Sequence, residues 1–486
     1  MFKQLRLPWY IEHLLLATAA TAFFAFFLFQ SEHLKDLDIH FHITVAKLIV
    51  EEGFVARLPW MPFSIHGDRY VDFHFLIHYT MAPFVLLSPN DLVLAANLWG
   101  IVALFFSFSM LLLVLREMQA RHLWFWMVVL CLSSPVFALR LLYLRGSVLF
   151  IGVICIFILL VLRRRYKLAG LLCFFGPWMY PGFPILVVFA GFFWWVELIE
   201  EKRFNHKLMI VTATGTLLGL IIHPAFPHQF YAFWLELVVH SLQPEGLQKI
   251  AEWQPVPSGN IGRTYGVPAF LLISRILLLG RPVGLEKTLL LCVFFIFFTL
   301  LGAVKPIEFF IPMLVLFLAY PFELKGTREN YALRGFAVVM TAVMIFWSVP
   351  LLSSLDRSLK EYIPVEKYFE AADWLEENTE DGEQVLVSWA DFPIFFYRNR
   401  KNVYNNGLNP VYSYGKDFIR DQKINAFYRK PGHGTEFVPT QLGIRFAVLN
   451  RQHSEGSIFW LQSAPFVQSR FDHGRFVILE FPPRNR

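Results

Sequence analysis

The sequence predicts a polytopic α-helical membrane protein with a small α/β domain at its C-terminal end, outside the membrane. Three observations lead there. Charged residues are only 16% of the 486-residue chain and hydrophobic ones 56%, whereas soluble domains carry about 25% charged residues. Apolar runs of span length recur from residue 11 to residue 352, and a span needs about 20 such residues. After residue 355 the pattern changes. "VEKYFEAADWLEENT" has apolar residues at helical spacing, and "GEQVLVSW", "GIRFAVLN" and "GRFVILEF" read as strands.

In chain order the spans fall near 11–30, 91–115, 122–139, 147–162, 167–180, 183–199, 207–223, 265–279, 285–303, 307–322 and 335–352, about eleven in all. The first has Lys3 and Arg6 before it and no small-residue cleavage site after it, so it reads as a signal anchor with its N-terminus inside. The basic connections are "REMQAR", "RRRYK", "EKRFNHK", "GRPVGLEK" and "LKGTREN". All five fall on the cytoplasmic side if 72–87 is a helix lying on the outer surface rather than a span. Segments 31–88 and 223–263 then become long outer loops of a membrane domain over 1–354. The tail, 355–486, becomes an extracytoplasmic α/β domain of about 130 residues.

Several function classes drop out. The net charge of +6 is modest and sits in the cytoplasmic loops, so no nucleic-acid partner is expected. Cys131, Cys155, Cys173 and Cys292 lie inside apolar runs without metal spacing and read as core residues. No P-loop, GxGxxG after a strand, or GxSxG occurs. A transporter would want inverted repeats and broken helices at midplane, which the pattern does not display. Arg275, within "AFLLISRILLLG", is expected to face the bundle with an acidic or carbonyl partner.

The chemistry concentrates after the first span. "KDLDIHFH" supplies Asp36, Asp38, His40 and His42. On a helix Asp36 shares a face with His40, and Asp38 with His42. Ile39, Ile43, Ala46, Ile49 and Val50 give an apolar stripe that lets this helix lie along the membrane. "RLPWMPFSIHGDRYVDFHFLIHY" adds His66, Asp68, Asp72, His74 and His78. Carboxylates beside imidazoles suit Mn²⁺ or Mg²⁺, here through Asp38, Asp72, His74 and His78. They equally suit general-base chemistry or plain hydrogen bonding at the headgroup level.

This layout resembles the GT-C superfamily of membrane glycosyltransferases, most closely the catalytic subunits of oligosaccharyltransferases. The resemblance covers nearly the whole chain in architecture and short stretches in motif. It implies transfer of sugar from a polyprenyl-phosphate or polyprenyl-diphosphate carrier. "DLD" is similar to the family's first acidic motif and puts Asp38, supported by Asp36, in the metal-binding or acceptor-activating place. "VVHSLQPEGLQKIAEWQPVPSGNIG" stands where the second long loop lies and makes Glu252 a candidate. "AVKPIEFFIPMLVLFLA" puts Lys305 where relatives keep a basic residue for lipid phosphate.

Two departures qualify what the resemblance implies. The stretch matching the second acidic pair, "LSSPVFALRLLYLRGSVLF", carries Arg140 and Arg145 and no acid. These arginines either hold the donor phosphate or pair with Asp38 or Asp72. A cation held by Asp38 with His74 or His78, or none, stays open. In "AADWLEENTEDGEQVLVSWADFP", Trp389, Asp391 and Phe392 match the W-W-D-[YF]-G motif, whereas Ala390 and Pro393 do not. A lipid or glycan acceptor is therefore favoured over a peptide. The expected protein is an integral membrane transferase of a bacterial or archaeal cytoplasmic membrane. The alternative is a non-catalytic protein that keeps this scaffold to bind a lipid-linked glycan.

Overall fold

A computed structural model describes residues 8–202, 206–278, 282–321, 342, 346, 353, 364–405, 407–433 and 436–481. The span expected near 335–352, the basic loop 324–330 and the start of the tail lie outside these residues, apart from single positions.

Among the described residues, two helices are long and apolar enough to cross a membrane alone, Trp9–Leu28 and Leu92–Glu117. They pack through rings such as Phe24 and Phe108, 5.7 Å apart. The span expected over 122–139 is not continuous. It is a bent pair, Leu123–Leu132 and Pro135–Leu142, meeting at 85°. The cause is local. Pro135 disfavours helix at the residue before it and starts the next helix well, and the Ser134 hydroxyl accepts from the Phe137 N–H. Other apolar helices, among them Gly146–Leu162, His206–Ile221 and Ile307–Ala319, are shorter than a full span. Helices Tyr166–Met179 and His206–Ile221 approach closely because Gly215 faces Gly170. A side chain at Gly215 would stand 2.1 Å from the Gly170 carbonyl oxygen. Every residue of Ile307–Ala319 is buried, the one acid Glu308 included, as befits a helix that occupies a bundle core. It begins two residues after Lys305, which fixes that lysine at the bundle's mouth.

Helix Leu37–Glu52 carries two apolar stripes where one was expected. One stripe, Ile39, Ile43 and Ala46, joins the bundle core. A second stripe, Phe41, Val45, Leu48 and Ile49, joins the core of the C-terminal region. Both stripes follow helical spacing, so the helix is buried on two sides and joins the two cores.

The C-terminal region holds a five-stranded sheet in the order β2-β1-β3-β5-β4. The strands are β1 Gln384–Leu386, β2 Val403–Tyr404, β3 Phe446–Asn450, β4 Gln468–His473 and β5 Phe476–Glu480. β1 runs parallel to β2 and β3, while β5 is antiparallel to β3 and β4. Successive residues alternate between faces. Phe446 and Val448 pack with helices Val365–Asn378 and Phe392–Arg398, while Ala447 and Leu449 pack with Ile424, Phe427 and Ile458. The sheet is thus buried on both sides, as an α/β layer requires.

Phe41 is the knob that locks the two regions, with its ring 6.3 Å from Phe392 and 5.9 Å from Phe396. Phe41→Ala is expected to cost about 3–5 kcal/mol at this contact. Limited proteolysis should then release the C-terminal region before the bundle is cut. A variant as protease-resistant as the parent would contradict this account.

Candidate active site

The site lies where helix Leu37–Glu52, the bundle's mouth and the C-terminal region meet around a cavity of about 690 Å³. Asp36 takes an extended backbone just before that helix, and Asp38 sits in its first turn. Arg145 immediately precedes helix Gly146–Leu162. Its Nε donates to Asp36 Oδ2 at 2.7 Å and its Nη2 to Asp36 Oδ1 at 2.8 Å. This is the bidentate fork that a planar guanidinium makes best. Asp36 is buried. Asp38 stays 37% exposed at its side chain, faces the cavity, and reaches Arg145 Nη2 only at 3.1 Å. Desolvation raises its pKa to about 6, with Asp36 and Glu252 adding to the rise and Arg145 opposing it.

Glu252 gathers the remaining charge. Its Oε2 accepts from Arg145 Nη1 at 2.5 Å and from Arg140 Nη2 at 3.1 Å, and its Oε1 from Lys305 Nζ at 3.0 Å. Burial opposes its charge, yet Arg145, Lys305 and Arg140 hold its pKa well below the usual carboxylate range. Arg140 also pairs with Glu308, which is buried at the start of the core helix. All three expected cations therefore converge on one wall of the cavity, together with Asp36, Asp38 and Glu252.

The histidines form a second layer. His78 Nδ1 bonds Asp72 Oδ2 at 2.7 Å, and His78 Nε2 lies 2.8 Å from His42 Nδ1. Asp72 Oδ1 also accepts from the His74 backbone N–H at 2.9 Å. His42 and His74 line the cavity, while Asp72 and His78 stand behind them. Asp36 and His40 do not meet through their side chains. His40 bonds the Asp36 carbonyl instead, at 2.8 Å, because Arg145 already takes both carboxylate oxygens. Burial lowers the pKa of His40 and of His66 to about 4, so both are neutral near pH 7. Gly146 lets the His74 ring lie against the helix beside Arg145, since a side chain there would meet His74 Cδ2 at 2.6 Å.

A divalent cation does not fit these residues. Among the described residues no three His, Cys, Asp or Glu groups converge as metal ligands. The oxygens of Asp36 and Glu252 are taken by guanidinium and ammonium groups. A metal there would have to face Arg145, whose charge cannot be removed by deprotonation.

On the C-terminal side, Trp389 lines the cavity and donates to Gln248. Asp391 does not line it. Its carboxylate is buried, accepting from the Tyr368 hydroxyl at 2.8 Å and Asn450 Nδ2 at 3.2 Å, and so ties helix to strand. Two acids were missed by the sequence reading. Glu308 supports Arg140. Glu236 lies on the cavity wall in a π-helical turn, Leu235–Val239, where it accepts from Asn409 Nδ2 at 2.8 Å and the Tyr412 hydroxyl at 2.9 Å. Both stand within apolar runs, "KPIEFFIPM" and "YAFWLELVV". A lone acid in such a run is the signal that would have found them.

No protein-family model matches the sequence, and no curated protein matches it. Solved structures do. Archaeal oligosaccharyltransferase AglB from Archaeoglobus fulgidus, in complex with an inhibitory peptide and a dolichol-phosphate, matches at 13% identity with a TM-score of 0.65. The match covers 98% of this chain and 75% of that one. ArnT from Cupriavidus metallidurans, bound to undecaprenyl phosphate, matches at 12% identity and a TM-score of 0.57, covering 96% of this chain and 97% of that one. Arabinofuranosyltransferase AftD from Mycobacteria matches at 13% identity and a TM-score of 0.55. This chain spans 97% of its own length there and 40% of AftD. At such identities the likeness speaks for the fold alone: this chain shares the fold of these three proteins.

Proposed function

We propose that the protein is a membrane glycosyltransferase that moves a sugar from a polyprenyl-(di)phosphate carrier to an acceptor on the extracytoplasmic face. The observation that carries this reading is the pairing of unlike groups on one cavity wall. A carboxylate with a pKa near 6, Asp38, stands 3.1 Å from a fixed guanidinium, and Lys305 and Arg140 lie on the same wall. Sugar transfer needs both kinds of group. Asp38 takes the proton of the acceptor hydroxyl as its oxygen attacks the anomeric carbon. The bond from that carbon to the carrier phosphate breaks, and the positive groups stabilise the charge the phosphate gains. Asp36 acts through Arg145, which it holds in plane, as a positioning residue. The fold is shared with proteins solved with dolichol-phosphate and undecaprenyl phosphate bound, which supports a polyprenyl carrier here.

For the acceptor, Trp389 on the cavity wall and Asp391 buried away from it favour a lipid or glycan over a peptide. Where relatives' motif would present an aspartate to a peptide hydroxyl, this chain spends it on its own packing.

Two outcomes test the reading, with purified protein in nanodiscs and labelled polyprenyl-phosphate sugars. Asp38→Asn should lower the rate about 10²–10⁴-fold, the usual loss of a general base, with donor binding retained. Donor bound without turnover in the parent protein would instead favour a non-catalytic lipid-glycan binder. A base must be ionised to accept a proton, so parent activity should be low in acid, climb through about pH 6 and level off above it. A profile flat across that range would remove Asp38 from this role.

Because Arg145, Arg140 and Lys305 supply the positive charge at Asp36 and Glu252, EDTA should leave turnover unchanged. Isothermal titration should find no Mn²⁺ site. Loss of activity on chelation, restored by Mn²⁺ or Mg²⁺, would refute this part.

A further inference from the structure

Arg140 and Arg145 each have a carboxylate of their own. Glu308 holds the first, and Asp36 holds the second through two hydrogen bonds. Glu252 is therefore not needed to fix either guanidinium, yet it receives an N–H from both and the ammonium of Lys305 as well. Three cations turned toward one place at the cavity's edge make an anion cradle, and two of its members would stay in position if Glu252 left.

The carboxylate comes from a segment with little regular structure. Residues 243–260 contain two short 3₁₀ turns, Ala251–Trp253 and Ser258–Asn260. The segment rests on the residues before the core helix through two backbone bonds, Lys305 N–H to the Glu252 carbonyl and Val304 N–H to the Gln254 carbonyl, both 3.1 Å. The Lys305 ammonium stands 5.4 Å from the Trp253 ring centre. Upstream, Gln248 is tied to Trp389 and Asn425, so a movement that withdraws Glu252 need involve only the turn around 250–255.

We propose that Glu252 is an internal surrogate for the donor's phosphate: its carboxylate fills the cradle of Arg140, Arg145 and Lys305 in the free protein, and the donor displaces it on binding. This rests on the polyprenyl-linked donor proposed above and narrows its class. A carboxylate and a phosphodiester each carry one negative charge and present two acceptor oxygens. The exchange leaves the charge of the site unchanged for a sugar linked through a single phosphate, whereas a diphosphate brings extra charge. The cradle thus favours a monophosphate-linked donor.

The surrogate makes an inverted prediction. A Glu252 that bound donor or supported its binding would weaken affinity when changed. A Glu252 that competes with the donor lowers the apparent affinity by the fraction of cradles it occupies, and its neutralisation removes that loss. Parent protein and Glu252→Gln would be titrated in nanodiscs with polyprenyl phosphate, and separately with inorganic phosphate and with phosphatidylglycerol in the disc. Glu252→Gln is expected to bind polyprenyl phosphate about tenfold more tightly and to gain more in melting temperature from it than the parent does. Glu252→Asp, which keeps the charge, should gain less, and Lys305→Ala should bind weakly. If Glu252→Gln is folded and binds polyprenyl phosphate no better than the parent, the surrogate is refuted while the donor reading stands. If neither protein binds it, both fall. An equal gain for inorganic phosphate or phosphatidylglycerol would keep the cradle but refute its tuning to a polyprenyl donor. Should Glu252→Gln fail to fold, Glu252→Asp decides: affinity equal to or below the parent's refutes the surrogate.

Discussion

The bidentate pair between Asp36 and Arg145 is the constraint on which the site depends. It joins the start of helix Leu37–Glu52 to the start of helix Gly146–Leu162, two elements distant in sequence. Both partners are largely out of solvent, so each charge is tolerable only because the other is there. Breaking a buried pair by removing one member leaves an uncompensated charge, which typically costs about 3–5 kcal/mol. The pair also sets the plane of the guanidinium. Its Nη1 is then left to meet Glu252, and its Nη2 is shared with Asp38. The helix that carries Asp36 is clamped from above as well, since its Phe41 stripe lies in the C-terminal core. Rigid elements on two sides hold these charges in place.

Behind this charged wall the histidines build a second layer. His78 Nδ1 pairs with Asp72 Oδ2, and His78 Nε2 meets His42 Nδ1. The arrangement holds helix Phe75–Leu87 to helix Leu37–Glu52 through buried polar groups that satisfy one another. Burial lowers the pKa of His42 and of His74, so these two rings add no charge to the three cations already present.

Much of the fold was legible in the sequence because composition and periodicity report directly on burial. "VEKYFEAADWLEENT" is helix Val365–Asn378, and three quoted strand runs contain β1, β3 and β5. The break within 122–139 was written locally in "SSP" but hidden by an apolar run that continues across it. In the site, "DLD" lies on the cavity wall, yet its partners were not legible. Asp36 and Asp38 are two residues apart and meet different fates, one buried and paired, one facing the cavity. Nothing in their spacing distinguishes them. The difference comes from Arg145, more than a hundred residues away. The same limit applies to Asp72 and His78, whose residue types suited a metal but whose contacts are with each other, with the His74 backbone and with His42. Pairings across the fold are settled by tertiary geometry, and a single sequence carries residue types without their distances.

The reactivity assigned to Asp38 follows from what its neighbours have already used. Arg145 gives both donors of its fork to Asp36 and its remaining terminus to Glu252. Lys305 is committed to Glu252, and Arg140 to Glu252 and Glu308. Asp38 is left with a shared N–H at 3.1 Å and two like charges nearby, and desolvation then raises its pKa to about 6 instead of leaving it a spectator anion. Asp36 has both carboxylate oxygens engaged by Arg145. A carboxylate in open water would sit near pKa 3.9. The crowd of ion pairs therefore does more than hold the cavity together: by leaving one acid underserved, it sets that acid's basicity where a general base operates. The proposed exchange of Glu252 for a phosphodiester preserves this state, because it replaces one negative charge beside Arg145 with another.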